Sequence, residues 1–509
     1  MPLRHRSLGI TYAFLAFWPI VLFGQDERPP ASVPPQFLTP PLHAPEQVAQ
    51  TVGGHLIYTP VSGMSSPGAS TTSIAAAPLS SVGQSAGTNI DVSSALDSYQ
   101  GEPMLMSNKA LLVGGYNSIF PGNCSASLAN CAPGSAASVN GAAWTNARMP
   151  ITINGHSFLI GYDPSVAVDA DGIFYYVYGV SDGSVSGHNG IAISSSSDGV
   201  NWTLGTPITF NSGGQFDDKP WVAADPNKAG TLYVGWDRNK GNDQTLFASV
   251  STDGGNSWTQ PIKVNDGTTK FERVIYAFPA VDPRSGNGTV YMAWLDYAKN
   301  IIFVDKATNG GLTWGKDVAA ATTHIGFGID IGCNGKRTMT PAPQLGIDGN
   351  GVLYLSYADK VGTGRTNSGM DIYLVKSTDG GANWSAPVKL NDDSGSAQQY
   401  NPALSVLPDT TGTIYVSWYD RRNDPNNCST DIYSTVSTDS GASFSANAKV
   451  TSASSDYDGN PNGPGDYSGI APFGSSTSFP LWCSHTLSDI AKETGTAGAF
   501  EIYTAPVSH

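Results

Sequence analysis

Ser251-Thr252-Asp253-Gly254-Gly255-Asn256-Ser257-Trp258 is the stretch on which the reading of this chain turns. Its pattern, Ser-x-Asp-x-Gly-x-x-Trp, returns from Ser377 through Asp379 and Gly381 to Trp384. It returns again, with an aromatic of another kind at its end, from Ser437 through Asp439 and Gly441 to Phe444. Ala307 to Trp314 keeps Gly311 and Trp314 and has Asn309 in the acid's place. Ser195 to Trp202 keeps Gly199 and Trp202 but moves its acid to Asp198, and Ala137 to Trp144 keeps only Gly141 and Trp144. The physics of such an octapeptide is a tight turn. Short Ser and Asp side chains bond nearby backbone amides, Gly supplies positive φ, and the aromatic enters the next strand and packs under the turn. Every residue of the box therefore has a structural role before any reaction is considered.

The aromatic ends fall at 144, 202, 258, 314, 384 and 444, at intervals of 58, 56, 56, 70 and 60. A period of this length marks a repeat architecture, and about 60 residues of short strands make one four-stranded propeller blade. A second signal recurs between the boxes. Thr231-Leu232-Tyr233-Val234-Gly235-Trp236-Asp237 and Thr289 to Asp296 are β-branched and aromatic runs that end at an acid. Val352 to Asp359 and Thr413 to Asp420 repeat the form, and all four read as strands. Seven such second strands are present, near Leu111, Tyr175, Tyr233, Tyr291, Tyr354, Tyr415 and Trp482. The last unit, ending at Glu501 to Ala505, lacks a box and a fourth strand, and Asn89 to Ser93 can supply one. The expectation is an all-β propeller of seven four-stranded blades, closed by this N-terminal strand, with six blades as the alternative.

The rest of the composition agrees. Of 509 residues only 13% are charged and 58 are Gly, which fits an extracellular β protein rich in turns. The net charge of −15 excludes a basic nucleic-acid surface. Arg4, His5 and Arg6 followed by the mostly apolar Leu8 to Phe23 read as a cleaved secretion signal over 1–24, with no later stretch able to span a membrane. The Pro-, Ser- and Ala-rich residues 25–88 read as a disordered linker, and 89–509 as the propeller. A secreted, cell-surface or periplasmic monomer follows. Five Cys suit an oxidising compartment: Cys124 and Cys131 are placed to close a short loop, and Cys428 with Cys483 is the next pair expected.

The boxes resemble the Asp-box, or BNR, repeats of the sialidase-like superfamily, over about residues 100 to 509. Trp418-Tyr419-Asp420-Arg421-Arg422 and Gly465-Asp466-Tyr467-Ser468-Gly469 resemble the secreted bacterial members. The resemblance implies boxes on the face of the ring opposite any active site. It also implies an arginine triad for a substrate carboxylate, a Tyr nucleophile activated by a Glu, and an Asp as acid/base. The chain departs from this pattern. Ala147-Arg148-Met149-Pro150 follows the first box where the family's first arginine precedes it, and Glu272, beside Arg273 and near Tyr276, is the only candidate for the activating Glu.

The candidate ligand site is the mouth opposite the boxes: Asp237, Arg238, Glu272, Arg273, Asp296, Asp359, Asp420 and Arg421. The connections between blades add Asp217, Asp218, Lys219, Arg337, Tyr400, Asp466 and Tyr467. Aromatics with acids and arginines suit a polyhydroxylated sugar, whereas an Asp at a turn also serves simply as a cap. Two readings stand: a secreted propeller that binds or hydrolyses an extracellular glycan or glycoprotein, and a non-catalytic scaffold or protein-binding ring. No cofactor is expected and no metal. Asp456 to Asn462 is rich in oxygen ligands for calcium but puts Pro461 where an EF-hand needs Gly, and His324 and His485 lack ligand spacing.

Overall fold

Seven antiparallel sheets follow one another along the chain in a computed structural model, the first six each built on a meander whose strands pair in sequence order. The residues described are 47–52 and 55–60 (backbone only), 74–93, 100–108, 110–118, 132–183, 187–241, 243–267, 273–284, 286, 288–331, 333, 338–360, 369–457, 464–486 and 500–509. The signal expected over 1–24 lies outside them.

Blade 1 comprises Gln100–Ser107, Leu112–Ser118, Gly134–Ser138 and Thr145–Arg148. Blade 2 comprises Ile160–Val168, Phe174–Ser181, Asn189–Ser196 and Thr203–Leu204, with Thr209–Asn211 added beside its third strand. Blade 3 is Phe216–Ala224, Leu232–Lys240, Asp243–Ser251 and Ile262–Lys263, and blade 4 is Val274–Val281, Val290–Asp296, Ile301–Ala307 and Val318–Thr322. Blade 5 is Gln344–Ile347, Leu353–Lys360, Met370–Ser377 and Val388–Lys389, and blade 6 is Gln399–Val406, Ile414–Asp420, Asp431–Ser437 and Ala448–Lys449. Blade 7 takes Gly469–Pro472, Thr477–Ser484 and Glu501–Thr504 from the C-terminal end of the chain and Ile90–Asp91 from before blade 1. The count is seven, and the strand that closes the ring is the one expected from Asn89 to Ser93. Val92 N–H reaches Ile502 O at 2.7 Å, and Ser93 Oγ donates to Glu501 Oε2 at 3.1 Å.

Residues 74–88, within the segment expected to be a linker, run along the outside of the last three blades. Ala77 N–H bonds Lys389 O in blade 5, Ser80 N–H bonds Phe444 O in blade 6, and Ser85–Ala86 pairs with Val507–Ser508 beside blade 7. Further upstream, Gln47–Val52 and His55–Pro60 form a two-stranded hairpin.

The second strands are wholly buried in most blades because each lies between two neighbours in its own sheet and against the next sheet. Trp236, Trp294, Tyr357 and Trp418 occupy equivalent places, four residues into their strands, and are at most 2% exposed. Such rings account for much of the apolar area removed from water, at roughly 25 cal/mol per Å². All six boxes lie between the third and fourth strands. In the blade 3 box Ser251 Oγ accepts from Gly255 N–H at 2.9 Å and donates to Asp253 Oδ1 at 2.8 Å. Ser257 N–H then closes onto Asp253 Oδ1 at 2.9 Å, while Gly255 takes φ +83. Blades 5 and 6 repeat these bonds through Ser377, Asp379 and Gly381 and through Ser437, Asp439 and Gly441.

The two weak copies are the same turn shortened by one residue. Ser196 and Asp198 take the Ser and Asp roles in blade 2, and Ser138 and Asn140 take them in blade 1, where Asn140 Oδ1 accepts from the amides of Ala142 and Ala143. Gly254 N–H bonds Gly230 O, so the boxes share a face with the connections between first and second strands. The opposite face, the mouth, carries the connections between second and third strands and from blade to blade.

Candidate functional site at the propeller axis

One local distortion recurs around the ring. The innermost strands of blades 1, 2, 3, 4 and 6 each carry a bulge near their mouth end, between Gly101 and Met104, Tyr162 and Ser165, Asp218 and Trp221, Ile275 and Phe278, and Tyr400 and Ala403. Within each bulge one non-glycine residue is left-handed: Glu102, Asp163, Lys219, Tyr276 and Asn401, with φ between 45° and 68°. Ala342 and Gly465 take positive φ just before the innermost strands of blades 5 and 7. Four of the bulge residues, and Ala342, precede Pro: Pro103, Pro164, Pro220, Pro343 and Pro402. A bulge re-aims the side chain it contains, and a non-glycine left-handed residue costs about 1–3 kcal/mol, which the surrounding structure must offset.

The bulges bring together a cluster of charge that no pair of them has in sequence. Lys219 Nζ lies 2.8 Å from Asp466 Oδ2 and 3.8 Å from Asp163 Oδ2. Asn117 Nδ2 donates to Glu102 Oε2 at 2.7 Å, and its Oδ1 accepts from Asp163 N–H at 2.9 Å. Asp466 N–H donates to the other oxygen of Glu102 at 3.1 Å. The Lys219 ammonium stands 5.6 Å above the Tyr276 ring, whose hydroxyl meets Thr340 Oγ1 at 2.7 Å. Glu102, Asp163, Lys219 and Tyr276 are each 1% exposed and Asp466 is 4% exposed. Next to this set, Met104, Trp221 and Tyr467 are buried together with Phe278 against them, Trp221 lying 4.7 Å from Phe278 and 4.9 Å from Tyr467.

Electrostatics divides the roles. Burial, and then the charge of Asp163, raises the Glu102 carboxyl well above its ordinary value. Among the described residues no other side chain or amide hydrogen-bonds the Asp163 oxygens, and the Glu102 carboxyl is their hydrogen-bond partner. Burial alone would lower Lys219, but Asp163, Asp466, Asp218 and Glu102 outweigh it and hold the ammonium charged. The arrangement is three carboxyl groups around one ammonium, all of them buried.

The residues singled out on the second strands are placed elsewhere. Strand register sets Asp296 opposite Val274 and Asp420 opposite Gln399, but in blade 3 the matching position, opposite Asp217, is held by Arg238. Asp237 is therefore one residue out of phase with the other acids and points to the other face of its sheet. Arg238 forks onto Asp217 at 2.5 and 2.8 Å. Asp296 caps the amides of Ala298 and Lys299 and pairs with the Lys299 ammonium at 2.7 Å. Asp359 accepts from His324 N–H at 2.8 Å and meets its Nδ1 at 2.7 Å. Asp420 accepts from Trp418 Nε1, Arg422 N–H and Arg422 Nε. Arg421 lies over the Tyr400 ring and donates to Ile331 O and Asn427 O at 2.8 and 2.9 Å. Arg273 O accepts from Tyr297 N–H, and Glu272 and Arg337 fall outside the described residues.

Lys219, Asp466 and Tyr467, noted on the blade connections, do reach the axis, and so does Tyr276. Glu102, Asp163 and Asn117 were missed. The recurring bulge residue followed by Pro, at spacings close to the box period, was the signal that marks Glu102 and Asp163.

The cysteines correct one expectation. Cys428 pairs with Cys333, with Cα atoms 5.4 Å apart, and not with Cys483. Cys483 is buried inside the second strand of blade 7 with its Sγ 3.2 Å from Gln100 O, whereas Cys333 and Cys428 both lie on mouth connections. Cys124 and Cys131 are outside the described residues, as are 458–462 of the calcium candidate. Its Asp456 N–H bonds His485 O, and Tyr457 OH donates to Cys483 O. Among the described residues no helix is long and apolar enough to cross a membrane.

No protein-family model matches the chain, and no curated protein matches it. Solved structures similar to it include a protein of unknown function from Dyadobacter fermentans, 12% identical over 84% of this chain and 99% of that one, with a TM-score of 0.45. A Hadza microbial sialidase is 17% identical over 71% and 72%, with a TM-score of 0.43. An ulvan lyase is 11% identical over 82% and 95%, with a TM-score of 0.47.

Proposed function

We propose that this chain is a secreted glycan-processing propeller whose reactive centre is the axial set rather than the second-strand acids. The observation that carries the reading is the Glu102–Asp163 pair. A carboxyl that keeps its proton above the ordinary carboxyl range can protonate a leaving glycosidic oxygen, and a neighbouring carboxylate can stabilise the cationic sugar or take up the proton of an attacking group. Lys219 and Asn117 hold the two groups in position, and the Tyr276 ring packs against the Lys219 ammonium. Arg238, Arg273, Asp296, Asp359, Asp420 and Arg421 would frame the mouth through which a sugar approaches.

A second reading has its own support. The near-complete burial of all four ionisable groups suits a pin that fastens blade 3 to blades 2 and 7, as a non-catalytic ring would use. Release of reducing ends from a panel of polysaccharides and sialosides separates the two. Under the first reading the native chain releases them from at least one substrate, and Glu102→Gln and Asp163→Asn, shown to be folded, lower the rate by roughly 10²–10⁴. A folded Glu102→Gln chain that keeps the native rate removes Glu102 as the acid. Native protein that binds a glycan without cleaving any would leave the binding ring.

A further inference from the structure

Outside the axis, the mouth of blade 2 holds His156, Asp182 and His188, whose ligand atoms all lie within 4.8 Å of one another. We propose that these three residues form a site for a divalent transition metal of the zinc class, with two imidazole nitrogens and one carboxylate as ligands. His156 Nε2 is 2.9 Å from Asp182 Oδ1, and His188 Nδ1 is 3.3 Å from Asp182 Oδ2. The two histidines meet different oxygens of the one carboxylate, and tetrahedral bonds of about 2.0–2.1 Å would set three ligand atoms roughly 3.3 Å apart, so binding draws together atoms that already lie within 4.8 Å. The donor set excludes calcium and magnesium, which take oxygen ligands.

The backbone holds the three side chains in place. His156 follows Asn154-Gly155, both at positive φ, in a two-residue hairpin that pairs Thr152–Ile153 with His156–Ser157. Asn-Gly is strongly preferred in such a two-residue hairpin, because both central residues need positive φ. Phe158, fully buried, anchors the hairpin, and its ring meets that of His156 edge-on at 4.7 Å. Asp182 ends the second strand of blade 2, and His188 directly precedes the third. Asp182 N–H bonds His188 O at 2.9 Å, and His188 N–H returns to Asp182 Oδ2 at 3.0 Å. Phe210 covers one side of both imidazoles, at 6.0 and 5.7 Å. The side chains of His156, Asp182 and His188 remain 32%, 24% and 40% exposed, so a metal can reach them from solvent. Three protein ligands with one open position are the arrangement of a site that exchanges or reacts, as opposed to a closed structural site.

The test uses the full chain without a histidine tag, stripped with a chelator, dialysed against zinc and assayed by elemental analysis. The expected result is one zinc per chain, with none retained by His156→Ala, His188→Ala or the near-isosteric Asp182→Asn. Cobalt should give visible absorption bands in the native chain and none in the variants. Zinc should also raise the native melting temperature while leaving the variants, matched to it in chelator, unmoved. Native protein that retains no zinc overturns the proposal. So do folded variants that retain as much as the native chain, because the metal then lies elsewhere.

Discussion

Glu102 combines left-handed backbone, complete burial and contact with a second carboxylate, and each has a consequence that can be measured. Its folded pKa lies above the ordinary value of 4.5, so the folded state keeps a proton that the unfolded chain releases. Protons bound in excess by the folded state make stability fall as pH rises. The contribution is complete below about 4.5 and is lost progressively as pH climbs towards the raised folded value. Glu102→Gln keeps the shape and the bond from Asn117 with nothing to titrate. The expected outcome is that denaturant midpoints of the native chain decline above that pH relative to those of Glu102→Gln. Parallel curves for the two proteins would show that Glu102 is ionised in the fold. Asp379 works in the opposite sense. Bonds from the Asn383 side chain and amide, and from Ser377, pull it down to about 2, so its support is present above 3.8 and fades as pH falls towards 2.

At the scale of the element, the box and the bulge are two ways of turning a strand. In the box the Ser and Asp side chains bond amides within the same eight residues, which is why the motif can be read without any knowledge of the fold. Ser251→Ala removes the acceptor of the buried Gly255 amide and leaves that donor unpaired. The expected loss is about 1–3 kcal/mol in urea unfolding. The equivalent change at Ser138, in the shortened box of blade 1, should cost a similar amount if that copy is the same turn, since Gly141 N–H bonds Ser138 Oγ at 2.9 Å. A loss at Ser251 with none at Ser138 would mean that the shortened turn only imitates the longer one. The bulge is harder to read from sequence. Its signature is one residue and a following Pro, and its effect, turning a side chain towards the axis, is defined only by the other blades. The acid at the end of the second strand shows the reverse error. It is conspicuous in sequence, yet a shift of one place at Asp237 moves it to the other face.

The whole molecule depends on a joint between residues far apart in the chain. Ile90–Asp91 supplies the outer strand of blade 7, and Ser93 is bonded both to the Glu501 carboxylate and to the Ile502 amide. Removing residues 1–93 would leave Glu501–Thr504 as an open edge, which recruits other chains. That truncation is expected to elute as oligomers or to aggregate. A chain lacking only 1–73, which keeps the bonds to blades 5, 6 and 7, should elute and melt as the full chain does. Equal behaviour of the two truncations would show that the ring holds without its closing strand.

The sequence by itself determined the blade period, the position of the boxes between third and fourth strands, and the strand that closes the ring. Each of these is written in local patterns: turn chemistry satisfied within a few residues, and strands that alternate with a period of two. Only the tertiary structure decided which charges meet. Glu102, Asp163, Lys219 and Asp466 come from four blades, Cys333 reaches across 95 residues to Cys428, and His156 meets Asp182 and His188 through a hairpin and a strand end. The physical reason is that a closed ring brings equivalent positions to one axis whatever their separation along the chain. The energy of a buried charge depends on those neighbours and not on the residues beside it in sequence.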